Sequence, residues 1–105
     1  MGSQDIYLRA ILAILARQAI APARLAEIIG TTAGEKQHRA FNLCDGTRTQ
    51  AEVARELGLD PSNFSKTLAR WVNEGIVVRI GDNRDARPMH VYPLPETLMK
   101  KAAKQ

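Results

Sequence analysis

The chain has 105 residues and 45% of them are apolar, so it can bury one modest core; this excludes a disordered tail. Its formal charge of +4 suits a polyanionic partner. One cysteine and two widely separated histidines give neither a disulfide framework nor metal-ligand spacing, and no Gly-rich phosphate loop or base-paired nucleophile stands out, which argues against an enzyme or a cofactor.

The first element is a widely apolar helix. Ile6, Leu8, Ile11, Leu12, Ile14, Leu15, Ala19 and Ile20 crowd it, while Arg9, Arg17 and Gln18 are nearly its only strongly polar interior positions. Such a helix needs burial on more than one side. Arg9 and Arg17 and its short length argue against a membrane span, and Asp5 argues against a secretory leader. It is expected to cover its own domain on one face and to join a second copy on another, through Ile6, Leu8, Ile11, Leu12 and Leu15. Pro22 breaks it. A second short helix, Ala23 to Ile29, is expected to end at Gly30. Thr32 with Glu35 has the form of a capping box and opens a third helix to about Cys44. Ala40, Phe41, Leu43 and Cys44 should pack beneath the two helices C-terminal to it, with Cys44 acting as a small buried hydrophobe and His38 as a surface residue. A lone thiol fits a reducing, cytoplasmic setting.

Asp45-Gly46 turns the chain into its most informative stretch, Thr49 to Leu94. Thr49 and Glu52 form a second capping box, Ala51, Val53, Ala54 and Leu57 an apolar stripe, and Gly58 a helix stop. Leu59 plugs the corner. Asp60 caps the next helix and Pro61 takes its first position, where a missing N–H costs nothing. That helix should run to Glu74 and end at Gly75, with Phe64, Leu68, Trp71 and Val72 toward the core. Ser62, Asn63, Ser65, Lys66, Thr67 and Arg70 occupy the remaining surface. An amide and an ammonium there suit base edges, the Ser62 hydroxyl at the helix start suits a phosphate, and Arg70, two turns on, suits the backbone.

Ile76, Val77, Val78 and Ile80 then read as a strand, the polar run 81–88 as a turn, and Met89 to Tyr92 as the return strand. A hairpin of this kind can place Arg84 or Arg87 beside a minor groove, while Asp85 shapes the loop. His90 lies near enough to this tip to graze a phosphate. Residues 61–94 carry five Lys/Arg against three Asp/Glu, whereas 33–60 carry four against five, so positive charge gathers on this helix and hairpin.

The run Leu57 to Leu68, then Trp71 to Val77, then Arg79 and the Asp85-x-Arg87 tip, resembles the winged-helix regulators of the MarR type; the ArsR type is a looser match. The resemblance covers roughly Thr32 to Leu94. It implies that Asp85 braces the wing, that Arg87 enters the minor groove, and that Ser62, Asn63, Ser65 and Lys66 read the major groove. The chain departs from that family after the wing, where Pro93-Leu94-Pro95 and one short helix, Glu96 to Lys104, replace long dimer helices.

The expected fold is therefore mainly α with a small β-hairpin, a winged helix-turn-helix with extra N-terminal helices. Residues 1–31 form a packing and dimerisation segment, 32–94 the DNA-binding domain, and 95–105 a short basic helix. The expected function is a sequence-specific, double-stranded-DNA-binding transcription regulator, a repressor. It is a cytoplasmic, nucleoid-associated homodimer with no membrane, metal or cofactor and an open question about a small-molecule effector. The alternatives are a winged-helix module that binds protein and a nonspecific architectural DNA binder.

Overall fold

A computed structural model describes residues 3–30, 34–81, 86–96 and 98. Five helices come first: α1 (Ser3–Ala19), α2 (Pro22–Gly30), α3 (Gly34–Leu43), α4 (Gln50–Leu57) and α5 (Pro61–Asn73). An antiparallel hairpin closes the order, β1 (Val77–Ile80) with β2 (Arg87–His90). This is the mainly helical, winged helix-turn-helix order expected from the sequence.

Local chemistry explains the central elements. Thr49 Oγ1 accepts from the Glu52 amide (3.2 Å) and the Glu52 carboxylate accepts from the Thr49 amide (2.8 Å), so two amides that the first turn leaves free are satisfied. Gly58 ends α4 at φ 64°, a left-handed conformation that a side chain would strain. Asp60 caps α5 by accepting from the Asn63 amide at 2.9 Å, and Pro61 opens the helix. Pro22 likewise begins α2, and the chain bends by 87° between α1 and α2. No single helix among the described residues is long and apolar enough to cross a membrane.

The core gathers Leu25 and Ile29 of α2, Ala40 and Phe41 of α3, Val53 and Ala54 of α4, Phe64, Leu68 and Trp71 of α5, and Ile76, Val77, Tyr92 and Leu94 around the hairpin. Phe41 and Phe64 both meet Trp71 edge-on, at centroid distances of 5.4 and 6.1 Å. The inner side of α1, with Leu12, Ala13 and Ala16, packs on this core. Arg9 donates to Asp45 O (2.9 Å), Tyr92 donates to Ile20 O (2.6 Å), and the Arg17 guanidinium lies over the Tyr92 ring.

Several positions differ from expectation. His38 is buried, because its side of α3 faces the core. Neither of its ring nitrogens has a hydrogen-bond partner among the described residues. Burial lowers its pKa, and the Gly30 backbone opposes this only in part, without meeting hydrogen-bond geometry. His90 turns toward α3: its ring stacks on Phe41 and Nδ1 donates to Phe41 O at 3.0 Å. The return strand is Arg87–His90, earlier than Met89–Tyr92, because the Cys44–Gly46 segment joins that edge: His90 donates to Cys44 O and Gly46 to Pro88 O. Ala51 is exposed, while Val72 and Leu43 are half-buried at the core margin. Thr32 of the third-helix cap lies outside the described residues, as does most of the tail helix expected over 96–104.

Candidate nucleic-acid interface

The helix α5 buries one stripe and offers the other. Phe64, Leu68 and Trp71 recur at helical spacing and seat it on the core. Ser62, Asn63, Ser65 and Lys66 therefore point outward, and all four are exposed. They combine two hydroxyls, an amide and an ammonium within the first two turns of one helix. The Asp60 carboxylate already takes the Asn63 amide, so an anion at this helix start would meet one occupied donor and a neighbouring negative charge.

The other two positions proposed on this helix turn toward the protein. Thr67 is half-buried and accepts from Gln37 Nε2 of α3 at 3.4 Å. Arg70 donates from Nη1 to Ile28 O (2.7 Å) and from Nη2 to Ile29 O (2.9 Å). It lies on the expected surface, yet its fork caps the last carbonyls of α2. Gln37 and these carbonyls give no signal in the sequence, because no local motif links them to α5.

On the hairpin, Arg87 is exposed at the start of β2, opposite Ile80. Arg79, also exposed, adds a cation on β1 that no local signal sets apart. Arg84 and Asp85 lie outside the described residues. The root of the hairpin is pinned by a polar cluster: Arg48 reaches Asp45 Oδ2 (3.2 Å) and Glu56 Oε2 (3.4 Å), tying the α3–α4 turn to α4. Burial works to raise the Asp45 carboxyl, but the Thr47 hydroxyl and amide together with Arg48 outweigh it and hold the group below the usual range. The Glu52 carboxyl is also lowered, first by the Thr49 amide and hydroxyl and then by the cations of Arg87 and Arg55. Cys44 is inert: burial, helped by Asp45, pushes its thiol up to about 12, and Sγ donates to Ala40 O.

The residues proposed for dimerisation divide. Ile6, Leu8, Ile11 and Leu15 are exposed, together with Tyr7 and Ile14, at 52% to 67% of their surface. Leu12 instead packs on the chain's own core. A cleft of about 390 Å³ lies between α1 and the hairpin, lined by Leu8, Arg9, Ile80, Arg87 and Met89 among others. Ile80 is itself 47% exposed, so apolar surface continues from α1 to the wing root.

No curated protein and no solved structure matches the chain. The family model of the MarR family matches residues 40–88, from the last turns of α3 through α4 and α5 into β2. That family consists of DNA-binding transcriptional regulators rather than enzymes. With α4, α5 and the hairpin in the order such a reading head needs, the chain resembles the MarR-type winged helix-turn-helix regulators over this stretch.

Proposed function

We propose that the chain is a sequence-specific repressor that binds duplex DNA as a homodimer. In this reading α5 enters the major groove, where Asn63 and Lys66 address base edges and Ser62 and Ser65 address edges or phosphates. The wing lies along the adjoining minor groove, with Arg87 and Arg84 toward it and Asp85 bracing the loop. Residues 32–94 make the DNA-binding domain, 1–31 the arm that joins two copies, and 95–105 a basic appendage. The protein works without a cofactor, in the cytoplasm with the nucleoid.

The observation that carries this reading is the division of α5. One face is sealed into the core by Phe64, Leu68 and Trp71, and the other presents four exposed hydrogen-bonding side chains, while Arg87 is exposed on the hairpin. For the dimer, the outer side of α1 carries the weight. Tyr7, Leu8, Ile11, Ile14 and Leu15 form an uncharged apolar ridge, a surface that a soluble monomer rarely leaves open. A second copy placed on it by a two-fold axis buries the ridge twice and presents two α5 helices together.

Selection of bound duplexes from a random pool tests the proposal, followed by salt titration of the enriched sequence. A palindromic motif and an affinity that falls steeply with salt are expected, since phosphate contacts release counterions. A pool without enrichment, or binding indifferent to salt, would reject it.

A further inference from the structure

A helix leaves its last four carbonyls without partners of its own, and a cation suits that end of its dipole. At the end of α2 the partner comes from a distant helix. The Arg70 guanidinium spans Ile28 O and Ile29 O at 2.7 and 2.9 Å, a planar fork holding two acceptors at once. Apolar contacts of Leu25 and Ile29 hold α2 against the core but are not directional. Two short N–H···O bonds are directional and fix an angle as well as a distance.

Among the described residues, three side chains tie the α1–α2 arm to the reading head by hydrogen bonds. Arg9 reaches the α3–α4 turn at Asp45 O, and Tyr92 reaches Ile20 O from the segment after the hairpin. Of the three, the Arg70 fork is the one that arrives on α5. Its consequence for DNA rests on the proposed function, in which α1 carries the partner copy and α5 carries the contacts to bases. The angle between arm and α5 then sets how far apart two half-sites must lie.

We propose that Arg70 is a positioning residue: its fork on the end of α2 holds α5 at a set angle to the α1–α2 arm and so makes the dimer selective for half-site spacing.

The arm-to-α5 geometry can be read without DNA. Spin labels on Gln18→Cys and Ala69→Cys, both exposed positions, report it within one chain when labelled protein is diluted into unlabelled protein. Cys44 is buried and stays unlabelled. The parent is expected to give one narrow distance distribution. R70A should give a broader or displaced one with its helix content intact, and R70K, which takes one carbonyl, an intermediate one. An unchanged distribution in R70A overturns the proposal. So does an R70K distribution equal to the parent's, which would mean that charge at the helix end suffices.

Duplex binding supplies the functional readout. Shifting one half-site by a base pair turns it by about 36°. That shift is expected to cost the parent about tenfold in affinity and R70A about threefold or less, while a single half-site is bound equally by both, to within about twofold. Equal loss on the single half-site would make Arg70 a direct DNA contact and overturn the positioning role. Failure of the DNA reading itself would appear as no duplex bound by the parent, and the distance measurement would still decide the role of Arg70.

Discussion

Helices α1 and α5 are both rich in large apolar residues, and they dispose of them in opposite ways. In α5 the apolar residues lie on one stripe, so the core consumes Phe64, Leu68 and Trp71 and the opposite face stays polar. In α1 they surround the helix. The core takes Leu12, Ala13 and Ala16, and Tyr7, Leu8, Ile11, Ile14 and Leu15 remain outside. A helix whose pattern is satisfied within its own chain presents polar chemistry outward, which suits groove edges and phosphates. A helix whose pattern is not satisfied presents apolar surface, which suits another apolar surface. The two faces therefore ask for different partners, which in the proposed function are DNA for α5 and a second copy for α1.

Truncation on each helix gives the largest contrast. Trp71→Ala removes a fully buried ring that meets Phe41 and Phe64, and should cost about 3–5 kcal/mol of stability in urea unfolding. Ile14→Ala, at a position 61% exposed, should change the unfolding of dilute monomer by less than about 0.5 kcal/mol. Equal losses at the two positions would dissolve the contrast. The next effect belongs to association. Ile11→Glu with Ile14→Glu places four charges in a two-fold seam and should raise the dimer dissociation constant about a hundredfold or more by sedimentation, given about 1.5–3 kcal/mol for burial of each aliphatic side chain. An unaltered oligomeric state in this double variant would remove α1 from the interface.

The contrast also explains what the sequence discloses. Caps are local chemistry: Thr49 with Glu52 and Asp60 with Pro61 act across three residues or fewer, so α4 and α5 can be placed without knowing their neighbours. The exposed face of α5 is set by its apolar stripe, which is why Ser62, Asn63, Ser65 and Lys66 are legible. A helix apolar on every side carries no such pattern, so its sequence groups Leu12 with the outer residues although it points inward. Thr67 and Arg70 are legible as surface but not as bonded groups, because Gln37, Ile28 and Ile29 are remote in sequence. His38 and His90 escape placement for the same reason: α3 and β2 pack against elements that only the fold brings together. The shift in β2 arises from the Cys44–Gly46 segment, which pairs with it from over forty residues away.

Smaller effects are expected on the polar face. Lys66→Ala and Arg87→Ala should each weaken operator binding by about 1–3 kcal/mol if the group meets a base, and should flatten the salt dependence if it meets a phosphate. Thr67→Val, at a position turned toward Gln37, should change affinity less than either. A larger loss for Thr67 than for Lys66 would mean that the groove-facing side of α5 has been assigned incorrectly. The same titration on the Ile11→Glu, Ile14→Glu variant separates the helices further. Half-site affinity should survive, and full-site affinity should fall with the loss of the second copy.

The smallest expected effect is a difference in pH response between the two regions. Burial lowers the pKa of both His38 and His90 from their ordinary value of 6.5, so both rings stay neutral in the fold and take up protons more readily once unfolded. Where the unfolded chain binds more protons, unfolding free energy rises with pH. The stability these two rings allow is thus fully present above about 6.5 and is lost as pH falls from there through the lower folded values. Asp45 and Glu52 are held below the usual carboxylate range, remain ionised in this window and do not contribute to the slope. The exposed apolar ridge of α1, Tyr7, Leu8, Ile11, Ile14 and Leu15, contains no histidine and no carboxylate. Urea unfolding at low concentration should therefore weaken between pH 7.5 and about 5.5, while the dissociation constant of the folded dimer should hold nearly level. Substituting His38 by leucine should remove part of the slope in the first measurement and none in the second, because His38 lies in the core that seats α5 and away from the outer face of α1.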